Sequence, residues 1–271
     1  MCIRDSNIED IRTIHLEITQ KCQAACPMCD RNENGGVDNR HITNAELSLH
    51  DCQSIFTPAF IQQLNTMYMC GNLGDPIVAR DSLEVFDYFR QHNQKMWLSM
   101  NTNAGAKPVE WWRELAQVYG RMGTVIFSVD GLQDTNHLYR QNVVWDNVER
   151  NMRAFIEAGG RARWDYIIFG HNEHQVEEAE ALADAWGVER FQKKKSARFF
   201  TATSQQKDFH QARNRKGEQT QVISKPVKTE NQNLALLKLK EIEKTVCWGH
   251  LETLNRCLPG RYKAPTYLMA L

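Results

Sequence analysis

The 271-residue chain contains no uninterrupted apolar run of membrane-spanning length. Its start lacks the basic residues, apolar stretch and small-residue cleavage site of a secretory leader. Neither a membrane partner nor export is therefore expected, and the expected location is cytoplasmic. Excess charge is missing too. The 33 Lys plus Arg offset 33 Asp plus Glu, so the strong positive field that gathers nucleic-acid phosphates is absent and there is no clear nucleic-acid signal. Among eight cysteines, three fall between Cys22 and Cys29 with no fourth ligand at a promising spacing, His15 and His41 being the nearest candidates. In a reducing compartment such crowding reads as metal ligation rather than as disulfides.

With 42% hydrophobic and 24% charged residues, the chain has apolar material for a full core, in one domain of generous size or one domain plus a small appendage. Residues 1–11 form an N-terminal segment. Its opening Met-Cys-Ile-Arg-Asp matches the translation of a common sequencing adapter, so Cys2 is set aside as a scar. From 12 to 19, Ile14, Leu16 and Ile18 alternate with His15 and Glu17, a strand pattern. A helical stretch follows at 44–64, with Asn44 as its N-cap and Pro58 kinking or splitting it.

Further strands are expected at 66–70, 96–100, 124–129, 163–169 and 189–193, separated by helices at 82–94, 109–119, 145–158 and 174–186. This alternation predicts an α/β fold, a partial (β/α)6 TIM-like barrel over residues 12–195, with parallel strands and right-handed crossovers. Residues 196–233, rich in Lys, Arg, Gln, Ser and Thr, read as a flexible insertion or linker. Residues 234–271 read as a less regular C-terminal extension with a helix at 234–245, cut short at its end.

Chemistry concentrates just after the first strand. Cys22-Gln-Ala-Ala-Cys26-Pro-Met-Cys29 spaces its thiols as C-x3-C-x2-C. Such a loop can fold three thiolates around one cubane, leaving an iron open where electron-transfer clusters have a fourth Cys. Two other readings stand beside this one. Cys26 and Cys29 alone make a thioredoxin-like pair, and a non-catalytic zinc-binding or interaction module could use the same thiols with an outside fourth ligand.

The cysteine motif resembles that of the radical S-adenosylmethionine superfamily. The resemblance implies a [4Fe–4S] cluster held by Cys22, Cys26 and Cys29, whose open iron chelates S-adenosylmethionine. Reductive cleavage would then give a 5'-deoxyadenosyl radical that abstracts hydrogen from a substrate. It also implies a small-molecule or peptide substrate and a reductase such as flavodoxin or ferredoxin as electron donor.

Later segments carry the resemblance further. Gly74-Asp75-Pro76 aligns with the end of the family's Gly-Gly-Glu-Pro stretch, with Asp in place of Glu. Met100-Asn101-Thr102-Asn103 is similar to a Thr-Asn-Gly signature, and Ser128-Val129-Asp130-Gly131 to Ser-x-Asp-Gly. Gly74, Asp75, Pro76, Asn101, Asn103, Ser128, Asp130 and Asn172 are accordingly the expected cofactor-binding residues. Arg140 resembles the Arg of a family loop, its ordinary reading being a surface ion pair. Cys247 and Cys257 fall where relatives carry a SPASM or twitch extension, which makes an auxiliary iron–sulfur cluster a further expectation. Cys52 and Cys70 read as core thiols.

Overall fold

A computed structural model describes residues 7–199 and 207–232, and the backbone of a strand at Tyr267–Ala270. The opening residues 1–6, the helix expected at 234–245, Cys247 and Cys257 lie outside the described residues.

Six strands run parallel in sequence order: β1 (Thr13–Leu16), β2 (Thr66–Cys70), β3 (Trp97–Thr102), β4 (Gly123–Ser128), β5 (Ala162–Ile168) and β6 (Arg190–Lys195). Interleaved are helices α1 (Leu49–Ile55), α2 (Pro58–Gln62), α3 (Ser82–His92), α4 (Val109–Tyr119), α5 (Asn136–Tyr139), α6 (Trp145–Glu157) and α7 (Val176–Trp186). This is the expected α/β partial barrel. The side of β1 away from β2 takes an additional parallel strand from Tyr267–Ala270, with Thr13 opposite Tyr267.

Strand pleating divides the sheet into two unlike faces. In register across one face lie Ile14, Met67, Leu98, Val125, Phe127 and Trp164. All six are fully buried with the helical layer, each such side chain contributing about 1.5–3 kcal/mol by leaving water. The other face carries His15, Tyr68, Cys70, Ser99, Asn101, Thr124, Ser128 and Asp165. A closed barrel fills that face with branched apolar side chains; here polar groups predominate, with Trp97, Ile126 and Ile167 among them.

The helical stretch at 44–64 divides as Pro58 requires, Pro58 becoming the first residue of α2 behind a Thr57 cap. Its start differs from the expectation. Asn44 has φ of +56° and precedes an extended segment, while Ser48 caps α1 in a reciprocal box with Asp51. The box wins because it satisfies two backbone donors at once.

Residues 207–232, read from sequence as flexible, contain an antiparallel hairpin of β7 (Phe209–Arg213) and β8 (Gln219–Ser224). Its buried side is Ala212 and Ile223. The hairpin is tied to the barrel loops at Arg213 N to Asn34 O (2.8 Å), Gly170 N to Ser224 O (2.9 Å) and Gln221 Nε2 to Leu138 O (2.6 Å). Glu173 fixes the segment after it by accepting from Val227 N and Lys228 N at 2.9 and 3.0 Å.

Candidate functional site

The cysteine loop leaves the C-terminal end of β1, the end where barrel sites collect. Thr19 anchors its start by accepting from Lys21 N (3.1 Å), and Lys21 O accepts from Asp75 N (2.9 Å), joining the loop to the turn after β2. Gly74 is required in that turn because a Cβ there would overlap the Thr19 carbonyl oxygen. The loop then closes through Cys29 N to Cys26 O (3.0 Å), and Ala25 N reaches Gln141 O (3.0 Å).

Cys22, Cys26 and Cys29 line one cavity of about 410 Å³ together with Cys70 of β2, Asn101 of β3, Ser128 of β4 and Ile167 of β5. Among the described residues no three His, Cys, Asp or Glu side chains gather around a point the size of a single ion.

Two donors reach the sulfurs. Asn103 Nδ2 lies 3.8 Å from Cys22 Sγ and Arg140 Nη1 lies 3.7 Å from Cys26 Sγ. Burial pushes both thiols up from their ordinary pKa; Asp75 raises Cys22 further, whereas Arg140 pulls Cys26 back down. Cys22 and Cys26 are therefore protonated in the bare loop, and any metal must displace those protons. Arg140 is held in place by Asp130, whose Oδ2 accepts from Nε and lies 2.7 Å from both Nε and Nη2.

The structure gathers Gly74, Asp75, Asn101, Asn103 and Ser128 on the cavity wall. Asp75 is largely occupied: its carboxylate accepts from Asn103 N (2.8 Å) and Ile77 N (3.2 Å), which binds the turn after β2 to the end of β3. Burial nevertheless raises its pKa.

Three expected residues fall away from that wall. Pro76 opens the short 3-10 turn Pro76–Val78 and is buried behind it. Asp130 is fully buried, spending its carboxylate on Arg140 and Ile167 N (2.7 Å). Asn172 is fully buried as well. Its amide donates to Asp130 O and Ile167 O, both at 2.9 Å, and its oxygen accepts from Phe169 N at 2.7 Å. Both amide hydrogens and one lone pair of the amide oxygen are thus engaged, and Asn172 ties the strand ends together behind the cavity wall.

Among the wall residues that sequence reasoning missed are Arg31, Cys70, Tyr139 and Arg198. Cys70, expected in the core, is half-buried on the cavity. Strand parity could have found it, since Cys70 is opposite Asn101 on the polar face. Arg140 is a half-buried wall residue paired with a buried acid rather than a surface one. No local signal marks Arg198, which lies in the stretch read as a linker.

Comparison with solved structures gives the fold a known counterpart. SuiB of Streptococcus suis matches with a TM-score of 0.55 at 16% identity, over 73% of this chain and 42% of that one. SuiB bound to its precursor peptide SuiA matches at 0.54 and 17%, over 68% and 39%. The protein anSMEcpe with bound AdoMet matches at 0.53 and 14%, over 69% and 52%. These are radical S-adenosylmethionine enzymes, and this chain has the fold of their barrel. The chain spans about two fifths to one half the length of these structures. Residues 235–271 match the family model described as a protein of unknown function (DUF3136). No curated protein matches the sequence.

Proposed function

Starting from that fold, we propose that the chain is a radical S-adenosylmethionine enzyme with a [4Fe–4S] cluster on Cys22, Cys26 and Cys29. The observation that carries this reading is the convergence of the three thiols on one polar cavity at the C-terminal ends of β1 to β5. The donor set fits a cubane: three thiols, two of them within reach of a nitrogen donor, on the wall of a cavity of about 410 Å³. When bound, the cluster supplies the electron that cleaves S-adenosylmethionine to methionine and a 5'-deoxyadenosyl radical.

The protein's own residues do the remaining work. Asn103 and Arg140 stabilise negative charge on Cys22 and Cys26. Asp130 fixes Arg140 in position. Asn101 and Ser128 offer polar groups from the strand ends toward whatever occupies the cavity. Arg198 closes over the cavity beside Met28, in keeping with chemistry that must exclude water.

A peptide is the favoured substrate over a small metabolite, since the similar structures include SuiB with its precursor peptide and anSMEcpe with a Cp18Cys peptide. A flavodoxin or ferredoxin as reductant and a cytoplasmic location complete the proposal.

Anaerobic reconstitution tests it. About four irons per chain and 5'-deoxyadenosine formed from S-adenosylmethionine and dithionite are expected, with Cys22→Ala losing both. A colourless protein binding one zinc, or unchanged cleavage in Cys22→Ala, refutes it.

A further inference from the structure

Arg31 stands two residues past Cys29, is 6% exposed and lies on the cavity wall. Its Nη2 donates to Asn44 Oδ1 at 3.1 Å and reaches Asp38 only at 3.4 Å, and that carboxylate is itself 47% exposed. Nη1 is buried with no hydrogen-bond partner. Desolvating a guanidinium without filling its donors is costly, and buried donors are nearly always paired.

Arg198 lines the same cavity from the opposite part of the sequence. Its Nη1 donates to Met28 O and lies 3.5 Å from Tyr139 Oη. Met28 and Arg31 bracket Cys29 in the chain, so both arginines line the cavity from the Cys29 end of the loop, Arg198 through its bond to Met28 O. The third wall arginine is already neutralised, Arg140 being committed to Asp130. Asp30 also lines the wall, yet among the described residues it forms no ion pair with either arginine.

We propose that Arg31 and Arg198 form a subsite for a carboxylate-bearing ligand beside Cys29. A guanidinium fork matches a carboxylate in plane and spacing, and an incoming anion would engage donors that the folded chain leaves idle. The proposal rests on the radical S-adenosylmethionine reading only for the two molecules able to deliver the carboxylate, the cofactor or the substrate.

Binding of glutarate and of S-adenosylmethionine to the anaerobically reconstituted protein tests the subsite, with R31Q, R198Q and D38N compared to wild type. R31Q and R198Q each raise the dissociation constant of glutarate about tenfold or more, the loss expected for a charge-assisted hydrogen bond. D38N, which removes the competing carboxylate, tightens glutarate binding, an effect that a merely structural Arg31 would not produce.

If both arginine variants keep S-adenosylmethionine affinity within about twofold, the carboxylate arrives on the substrate. If they weaken S-adenosylmethionine but not its decarboxylated analogue, it arrives on the cofactor. Unchanged binding of both probes in both variants overturns the subsite. A wild-type protein that fails to cleave S-adenosylmethionine, while its glutarate binding still depends on Arg31, sinks the functional reading and leaves the subsite standing.

Discussion

Asn172 shows how a side chain at a strand end can serve the fold while standing in a functional neighbourhood. Its amide bonds Asp130 O, Ile167 O and Phe169 N, so the ends of β4 and β5 are stitched by one buried group. Replacement by Ala leaves those backbone groups unpaired in a dry place. Asn172→Ala is expected to lower unfolding free energy by about 2–3 kcal/mol, read by urea denaturation. Affinity for S-adenosylmethionine in the folded fraction should stay near wild type, whereas a direct contact would lose it.

His171, next to it, predicts a pH effect. It stacks on Phe169 with ring centroids 5.4 Å apart, and neither of its buried ring nitrogens has a hydrogen-bond partner. Burial first, and then His137 and His174, push its pKa from 6.5 down to about 4. Above 6.5 neither the folded nor the unfolded imidazole is charged, so the residue adds no pH dependence. As pH falls from 6.5 toward 4 the unfolded chain takes up the proton first, and the folded state weakens. His171→Phe should remove that part of the acid slope: the gap in urea midpoint between wild type and variant shifts in the variant's favour from pH 7.5 to pH 4.5. A constant gap would contradict this.

At the scale of elements, Arg90 of α3 holds the far end of the helical layer. Its guanidinium donates to the carbonyls of Val118, Asn93, Gln94, Met96, Tyr119 and Met122 at 2.9–3.3 Å, collecting the end of α4 and the turns before β3 and β4. Arg90→Met fills similar volume but abandons those acceptors. A loss of about 3–5 kcal/mol is expected, seen as a lower melting temperature with cluster content per folded chain unchanged, since Arg90 is absent from the cavity wall.

The elements were legible in the sequence to different degrees. Val109–Tyr119 coincides with its 3.6-residue pattern, and Pro58 marks the break between α1 and α2, because each is decided by local chemistry. The hairpin was hidden for a physical reason. Phe209 and Val222 are exposed while His210 is only half-buried, so its strands lack clean apolar alternation and are defined by contacts to distant loops. The strand at Tyr267–Ala270 is four residues long and is likewise defined by its neighbour β1.

Across the whole molecule the cysteine cluster was readable and its surroundings only partly so. Spacing alone places Cys22, Cys26 and Cys29 together, but no spacing tells which side of a strand end a polar residue faces. Ser128 and Asp130 illustrate this: two residues apart, one is on the cavity and the other buried beneath Arg140. Cys70 was misread by the same ambiguity. It lines the cavity, but the charged groups that influence it are Glu17, Lys194 and Asp75 rather than the cysteine loop. Cys70→Ser is therefore expected to retain about four irons per chain. An iron content below two would instead make Cys70 a ligand and close the cluster to exogenous molecules.

Arg198 meets Met28 across 170 residues of chain, the cysteine loop being synthesised well before the arginine that closes over it. A ribosome releasing this protein thus exposes the three thiols long before the pocket around them has its last wall. Under the function proposed above, metal loading would either wait for that wall or proceed on an unfinished nascent chain, where the sulfurs are open to oxygen and to competing ions.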